Sequence, residues 1–397
     1  MSSTTPKLFQ PLQFGDVTLQ HRIVMAPMTR IRANEAHEHT DLGVEYYAQR
    51  ASIPGTAIIS EATFIGAEAG GYDYVPGIYT DEQIARWKKI ADAVHEKGSF
   101  IYMQLWALGR AATPFVLAKD GFEYVGAGGI PLDDRGAPRP LTREEIKHYV
   151  GLYATAASNA VHKAGLDGVE IHGANGYLVD QFLQTNTNDR TDEYGGSVEN
   201  RIRFALEVIS AIAGAIGAKK TGIRLSPWNP FLFDSLCRSV MYRSVHISKG
   251  YHRPGMRMPD PVPTFRELVT RIRDTTPGLA FIHVIEPRIN GIELQKVDHE
   301  SSDFLREIWA PRPFIAAGGF TREDAIKTAE EKGGLIAIGR MFISNPDLPR
   351  RFREGIPLTP YNRDTFYSRP ADLTLGYVDY PFASDVAAKA LGFDVWV

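Results

Sequence analysis

Gly168-Val-Glu-Ile-His-Gly-Ala-Asn-Gly-Tyr-Leu-Val-Asp-Gln181 joins a short, mostly apolar run to a cluster of polar side chains. The run at 168–171 is short enough to be a strand that is buried on both faces of a parallel sheet. Seven further runs of this kind occur along the chain: Ile23–Pro27, Ala57–Ser60, Phe100–Leu105, Gly222–Leu225, Ala280–Ile285, Phe314–Ala317 and Leu335–Ile338.

Helical patterns with clear start signals lie between these runs. Thr-x-x-Gln at 80–83 and Thr-x-x-Glu at 142–145 are capping boxes, in which each side chain satisfies a free backbone N–H group of the first turn. The predicted helices run from Thr80 to about His95, from Thr142 to Lys163, from Ser197 to about Gly217 and from Thr321 to Gly333. Eight strands that alternate with helices predict a (β/α)₈ TIM barrel over residues 1–397 as a single domain. A doubly wound sheet is the alternative, but no Gly-x-Gly-x-x-Gly turn follows the first strand.

The composition excludes several classes of protein. The chain has 397 residues, a net charge of −3 and one cysteine. A charge near zero gives no electrostatic footprint for nucleic acid or for an anionic membrane, and we expect neither partner. One cysteine cannot build a thiolate zinc site or an iron–sulfur cluster, and we expect no metal. No secretory signal or long apolar run is present, so we expect a cytoplasmic protein.

Two segments interrupt the alternation of strands and helices. Residues 107–141 are rich in Gly, Pro and Ala, and they indicate an excursion of the loop after the third strand, for which a lid is one interpretation. Residues 231–254, after the fifth strand, are rich in basic residues and show no regular period. A loop of this length without secondary structure is uncommon in a compact domain.

Polar residues follow the fourth strand, at the end of a barrel where active sites lie. His172 and Asn175 can both donate hydrogen bonds, and two donors on one oxygen stabilise negative charge that develops there. Tyr177 carries a phenolic proton that it could transfer to a carbon atom. The alternative is a loop whose polar residues only cap backbone groups, with the tyrosine packed beneath them.

Other strands also end in candidate ligand-binding residues. Thr29, Gln104 and Arg224 follow or end the first, third and fifth strands. A threonine cap, a satisfied buried glutamine and an ion pair of Arg224 with Glu170 or Glu61 are the respective structural alternatives. The last two strands end in Gly318-Gly319 and Gly339-Arg340, where a barrel often binds phosphate. Together these residues suggest a phosphate-bearing cofactor across the barrel mouth.

Six motifs in this order resemble the old yellow enzymes, the FMN-containing ene-reductases, and particularly their fungal branch. The resemblance extends from about Leu8 to the carboxyl terminus, apart from 231–254. The motifs are Ala26–Arg30, Gln104–Trp106, His172–Leu183, Arg190–Arg201, Gly339–Pro346 and Tyr361–Tyr367.

This resemblance implies a bound FMN and NADPH as the reductant. Gly318, Gly319, Gly339 and Arg340 would hold the FMN phosphate. Gln104 would pair with the pyrimidine edge, Arg224 would lie near N1 and O2, and Thr29 would bind O4. The remaining residues implied at the flavin are Pro27, Met28, Ala62 and His172.

The resemblance also implies the reaction. His172 and Asn175 would polarise the carbonyl oxygen of an α,β-unsaturated aldehyde or ketone. Hydride would pass from flavin N5 to the β-carbon, and Tyr177 would protonate the α-carbon. Trp106, Phe366 and Tyr367 would shape the substrate pocket. The protein would act as a monomer or homodimer on a small molecule.

The chain departs from the family pattern at two places. Ala62 stands where the family usually has glycine or sometimes alanine, a mild departure that narrows the space beside the flavin. Residues 231–254 are either a genuine loop over the barrel mouth or translated non-coding sequence. Three functions follow from these alternatives: an active ene-reductase, a product whose flavin binding the insertion impairs, or a reductase or isomerase dedicated to one natural product.

Overall fold

Eight parallel strands close into a barrel in the computed structural model, which describes residues 5–230, 256–290, 293–294 and 300–385. β1 pairs with both β8 and β2, and β2 also pairs with β3, which closes the ring. The predicted (β/α)₈ barrel is therefore confirmed. The strands are β1 (Ile23–Met25), β2 (Ala57–Ile59), β3 (Phe100–Trp106), β4 (Gly168–Gly173), β5 (Thr221–Leu225), β6 (Phe281–Ile285), β7 (Phe314–Ala317) and β8 (Leu335–Ile338).

Helices pack around the outside of the barrel. They are α1 (Asp41–Arg50), α2 (Asp81–Glu96), α3 (Arg143–Ser158), α4 (Val198–Ile216), α5 (Val262–Thr275), α6 (Asp303–Trp309), α7 (Arg322–Lys332) and α8 (Leu348–Glu354). Both predicted capping boxes are present, and the predicted helix to Lys163 ends as a wider turn over Asn159–Lys163. In the part of the chain described, none of the helices combines the length and the apolar composition that a bilayer crossing requires.

Shorter elements decorate this frame. The short helices are Pro114–Lys119, Leu178–Leu183 and Arg340–Ser344, and Thr63–Phe64 extends the sheet beside β3. Three two-stranded sheets pair Leu12–Phe14 with Val17–Leu19, Val125–Gly126 with Arg139–Pro140, and Ile289–Asn290 with Glu293–Leu294.

Aromatic side chains fill the barrel towards the amino ends of the strands. Phe14 stacks on Phe281 with ring centroids 4.8 Å apart, and Tyr102 meets both rings edge-on. A side chain at position 222 would collide with this layer, because a Cβ atom on Gly222 would lie 2.3 Å from the Phe281 ring. The interior is therefore packed at this end, and ligand space is left at the carboxyl ends.

The excursion at 107–141 is folded. It contains the helix Pro114–Lys119 and two of the short strands, and its Leu108 and Leu117 pack into one buried cluster with Trp106 and Tyr177. This segment therefore supports a wall beside the barrel mouth, and its action as a lid stays a prediction. The predicted insertion at 231–254 lies outside the described residues.

Candidate active site

A cavity of about 970 Å³ opens at the carboxyl ends of the barrel strands. Every residue that the sequence placed in the site lines it: Pro27, Met28, Thr29, Ala62, Gln104, Trp106, His172, Asn175, Tyr177, Arg224, Gly318, Gly319, Gly339, Arg340, Phe366 and Tyr367. The barrel brings them together because parallel strands present their carboxyl ends at one face. Their chemical roles remain proposals.

A buried polar layer forms the base of the cavity. Gln104 and Glu170 are register partners on β3 and β4, and Nε2 of Gln104 donates a 2.8 Å hydrogen bond to Oε1 of Glu170. The other carboxylate oxygen lies 2.7 Å from Nδ1 of His283 on β6. The glutamine amide is therefore satisfied at its nitrogen end, as the structural alternative proposed, while the residue still lines the cavity.

Arg224 adds a buried positive charge to this layer. Burial lowers the pKa of its guanidinium, and the neighbouring Glu170 opposes that shift. Glu170 is thus the carboxylate that compensates Arg224, whereas Glu61 accepts a hydrogen bond from the backbone N–H of Arg30. Nε of Arg224 has no hydrogen-bond partner among the described residues. Because a buried donor is costly to leave unsatisfied, it fits a ligand acceptor in the cavity.

His172, at the end of β4, is a neutral imidazole. Burial lowers its pKa well below the usual value, and the charge on Arg224 lowers it further. Its Nδ1 atom has no partner within the described part of the chain. A neutral ring has one N–H donor, so His172 can give one hydrogen bond to a ligand without carrying a charge.

Asn175 and Tyr177 lie on the tight turn that follows β4. Asn175 has φ of +56°, a left-handed conformation that asparagine tolerates better than most residues. The Tyr177 ring meets Trp106 edge-on at 4.7 Å and lies 4.7 Å from the His172 ring, centroid to centroid. Burial raises the pKa of Tyr177 above its usual value, so the phenol keeps its proton at neutral pH.

Glycines and arginines line the part of the cavity at the carboxyl ends of β7 and β8. Gly319 has φ of +66°, and Gly339 directly precedes the short helix that begins at Arg340. The Arg340 guanidinium lies over the Tyr361 ring, 5.7 Å from its centroid. A backbone without Cβ atoms beside fixed guanidinium groups suits a phosphate.

The sequence analysis missed several residues of the cavity. Arg322, Asn229 and Arg363 line it, as does Tyr361. Signals for three of them were present: Tyr361 and Arg363 fall within the quoted motif at 361–367, and Arg322 opens the helix that Thr321 caps. No sequence signal distinguished Asn229.

Arg30 holds the segment that carries Phe366 and Tyr367. It is fully buried, and its guanidinium donates to the carbonyl oxygens of Phe366 at 3.3 Å, Thr365 at 3.4 Å and Gly376 at 2.7 Å. Arg30 thus connects the segment that follows β1 to residues 365–376 by hydrogen bonds, and the position of Phe366 depends on these bonds.

Comparisons with known proteins find similar proteins over most of the chain. Residues 7–359 match the model of the NADH:flavin oxidoreductase / NADH oxidase family. The match ends before Phe366 and Tyr367.

Individual relatives cover nearly the whole chain. An NADP-dependent oxidoreductase of Aspergillus flavus is 45% identical over 390 residues, with 95% of this chain and 96% of that protein covered. A chanoclavine-I aldehyde reductase of Penicillium roqueforti is 47% identical, with 96% and 97% covered. Among solved structures, an Old Yellow Enzyme from Pichia sp. AKU4542 superposes with a TM-score of 0.82 at 35% identity, covering 95% of this chain and 94% of that one.

Proposed function

Because the chain belongs to the NADH:flavin oxidoreductase / NADH oxidase family, as its resemblance to the old yellow enzymes predicted, we propose that it is an NADPH-dependent ene-reductase. The proposed reaction saturates the C=C bond of α,β-unsaturated aldehydes and ketones. The proposed cofactor is FMN.

The donor set of the cavity supports FMN. Gly318, Gly319, Gly339 and Arg340 suit its phosphate, since glycine backbone and a guanidinium bind phosphate well. Gln104 and Arg224 would hold the polar edge of the ring, where Nε of Arg224, which has no partner in the described part of the chain, needs an acceptor.

The other contacts at the ring surround its remaining edges. Thr29 would bind the ring carbonyl that faces β1. Pro27, Met28 and Ala62 would pack against the ring, and His172 would lie beside it.

When bound, FMN would accept hydride from NADPH and deliver it to the substrate. His172 and Asn175 would donate to the substrate carbonyl oxygen and stabilise the negative charge that develops there. Tyr177 would give its proton to the α-carbon. The raised pKa keeps the phenol of Tyr177 protonated until the α-carbon gains negative charge and accepts the proton. Trp106, Phe366 and Tyr367 would exclude water from this region.

One observation carries this proposal. A neutral His172, whose Nδ1 has no partner among the described residues, lines the same cavity as Asn175, a protonated Tyr177 and the cationic and glycine-rich residues. Two uncharged donors and one proton source fit the reduction of an enone.

Product analysis tests the proposal. Purified protein supplied with FMN and NADPH is incubated with 2-cyclohexenone and with citral, and the products are identified by gas chromatography and mass spectrometry. The proposal predicts cyclohexanone and citronellal, in which the C=C bond is saturated and the carbonyl is retained. Allylic alcohols, or no product from protein that contains FMN, would contradict it.

The same assay separates the alternatives. The Penicillium roqueforti relative is named an aldehyde reductase, which favours an aldehyde as the natural substrate, so the unsaturated aldehyde citral is included. An isomerised aldehyde with no net NADPH consumption would indicate a dedicated isomerase. Protein that is colourless and takes up no added FMN would indicate that residues 231–254 impair the cofactor site.

A further inference from the structure

The carboxamide of Asn175 accepts a hydrogen bond from a second asparagine at the cavity wall. Nδ2 of Asn229, which follows β5, donates a 2.9 Å hydrogen bond to Oδ1 of Asn175. Asn229 is 4% exposed, and the bond is partly buried. An amide oxygen only accepts hydrogen bonds and an amide nitrogen only donates them. The bond therefore occupies the acceptor end of Asn175 and leaves its NH₂ end for the cavity.

The backbone of Asn175 is fixed as well. Its N–H donates to Oγ of Ser226 at 2.8 Å, and the next N–H, of Gly176, donates to Oδ2 of Asp180 at 2.9 Å. Oγ of Ser226 lies 3.5 Å from Oδ2 of Asp180, and both residues are fully buried. These bonds hold the left-handed backbone of Asn175, so the only remaining freedom is rotation of its side chain.

We propose that Asn229 is a positioning residue, which orients the Asn175 carboxamide so that its NH₂ group faces the substrate oxygen. Without this bond the amide can turn over and present its oxygen to the substrate oxygen, where two acceptors repel each other. The inference rests on the proposed function only in assigning the substrate oxygen to Asn175. The new element is that Asn229, which follows β5, controls hydrogen-bond donation to the substrate oxygen by acting through Asn175.

Asn229 also lines the cavity, so direct contact with the ligand must be separated from action through Asn175. A double-mutant cycle makes that separation, because a residue that acts only through its partner has no effect once the partner is removed. The probe is 4-hydroxybenzaldehyde, whose phenolate oxygen presents one anionic acceptor. Its dissociation constant for the FMN-loaded protein is measured by calorimetry.

We expect Asn229→Ala to weaken phenolate binding by about tenfold, the usual effect of one lost hydrogen bond to a charged group. Asn229→Asp places an acceptor opposite Oδ1 of Asn175, and it is expected to weaken binding at least as much with nearly the same volume. In the Asn175→Ala background, Asn229→Ala should change the dissociation constant of 4-hydroxybenzaldehyde by less than about twofold. Asn200→Ala is the control, because that amide bonds to Asp192 and Gly195 and does not line the cavity.

Flavin content and melting temperature are recorded for every variant. If Asn229→Ala binds little FMN, the near-isosteric Asn229→Asp is compared with and without Asn175, because direct repulsion between its carboxylate and the phenolate would remain in the Asn175→Ala background. Unchanged phenolate binding in both variants, or an equal loss with and without Asn175, would overturn the proposal. Failure of the wild-type protein to reduce 2-cyclohexenone would contradict the proposed function, whereas the coupling between Asn229 and Asn175 would still be measured by binding.

Discussion

The side chain of Glu170 accepts a hydrogen bond from Gln104 and lies 2.7 Å from His283, and all three residues are buried at the base of the cavity. The carboxylate thus fixes the amide of Gln104 with its oxygen free for the cavity. It also supplies the negative charge that partly compensates Arg224. One carboxylate therefore orients one proposed flavin ligand and compensates another.

Glu170→Gln tests this electrostatic role. The new amide can still accept from Gln104, and its NH₂ can donate to His283 once that neutral ring changes its tautomer. The charge on Arg224 is then less compensated, which favours the anionic reduced form of a bound flavin. We expect the midpoint potential of the flavin to rise by about 30 mV, equivalent to about 1.4 kcal/mol for two electrons. Redox-dye titration measures it.

Glu68→Gln is the matched control for this experiment. Its carboxylate also lies beside a histidine, 2.8 Å from His148, but it does not line the cavity. The midpoint potential of the flavin in Glu68→Gln should equal that in the wild type. An equal potential in Glu170→Gln would show that Glu170 holds the geometry of the site without acting through its charge.

Tyr177→Phe removes the proposed proton donor and keeps the ring that packs on Trp106. The variant should retain FMN, and NADPH should still reduce the bound flavin. Reoxidation by 2-cyclohexenone should slow by about 10²- to 10⁴-fold, the usual contribution of general acid catalysis. Stopped-flow absorbance separates the two half-reactions. If enone reoxidation keeps the wild-type rate, Tyr177 is not the proton donor.

His172→Ala removes one of the two proposed donors to the carbonyl oxygen. We expect binding of 4-hydroxybenzaldehyde to weaken by about 10- to 100-fold, as for a lost hydrogen bond to a charged acceptor. Because burial keeps His172 neutral, its side chain should contribute no ionisation to wild-type binding between pH 6 and pH 8. Calorimetry over this range checks both statements. A titration step near pH 6.5 that disappears in the variant would mean that His172 is charged in the site.

Glu61→Gln should change how stability depends on pH. Glu61 and His39 lie 3.8 Å apart, but burial raises the pKa of Glu61 to about 7 and lowers that of His39 to about 3, so they are not a charged pair below pH 7. Between the unfolded pKa near 4.3 and the folded value, the folded state binds more protons at Glu61 than the unfolded state does. Its contribution to stability therefore falls as pH rises through this range.

Glu61→Gln does not lose stability in this way. Its free energy of unfolding should therefore rise relative to that of the wild type from pH 5 to pH 7. The gain should be at most about 1.4 kcal/mol per pH unit. Urea unfolding at pH 5, 6 and 7 measures the difference, in which the other titrating groups cancel. A difference independent of pH would mean that Glu61 is ionised throughout this range.

The sequence was sufficient for the barrel and for many of the residues at its mouth. Each strand is a short apolar run, four of the helices between these runs have side-chain caps, and a parallel barrel gathers whatever follows the runs, as with Gln104, His172 and Arg224. The sequence could not supply the residues that act through others. Asn229 bonds to the side chain of Asn175 after a neighbouring strand, and Arg30 bonds to backbone carbonyl groups at 365–376, and such contacts have no local signal.

The most direct test of the account is an anaerobic absorption titration of the full-length protein. We predict a flavin spectrum in the purified or FMN-loaded protein, bleaching on addition of NADPH, and full recovery on addition of one equivalent of 2-cyclohexenone. A flavin spectrum that NADPH bleaches but that no enone or enal restores would contradict the claim that this cavity reduces activated C=C bonds.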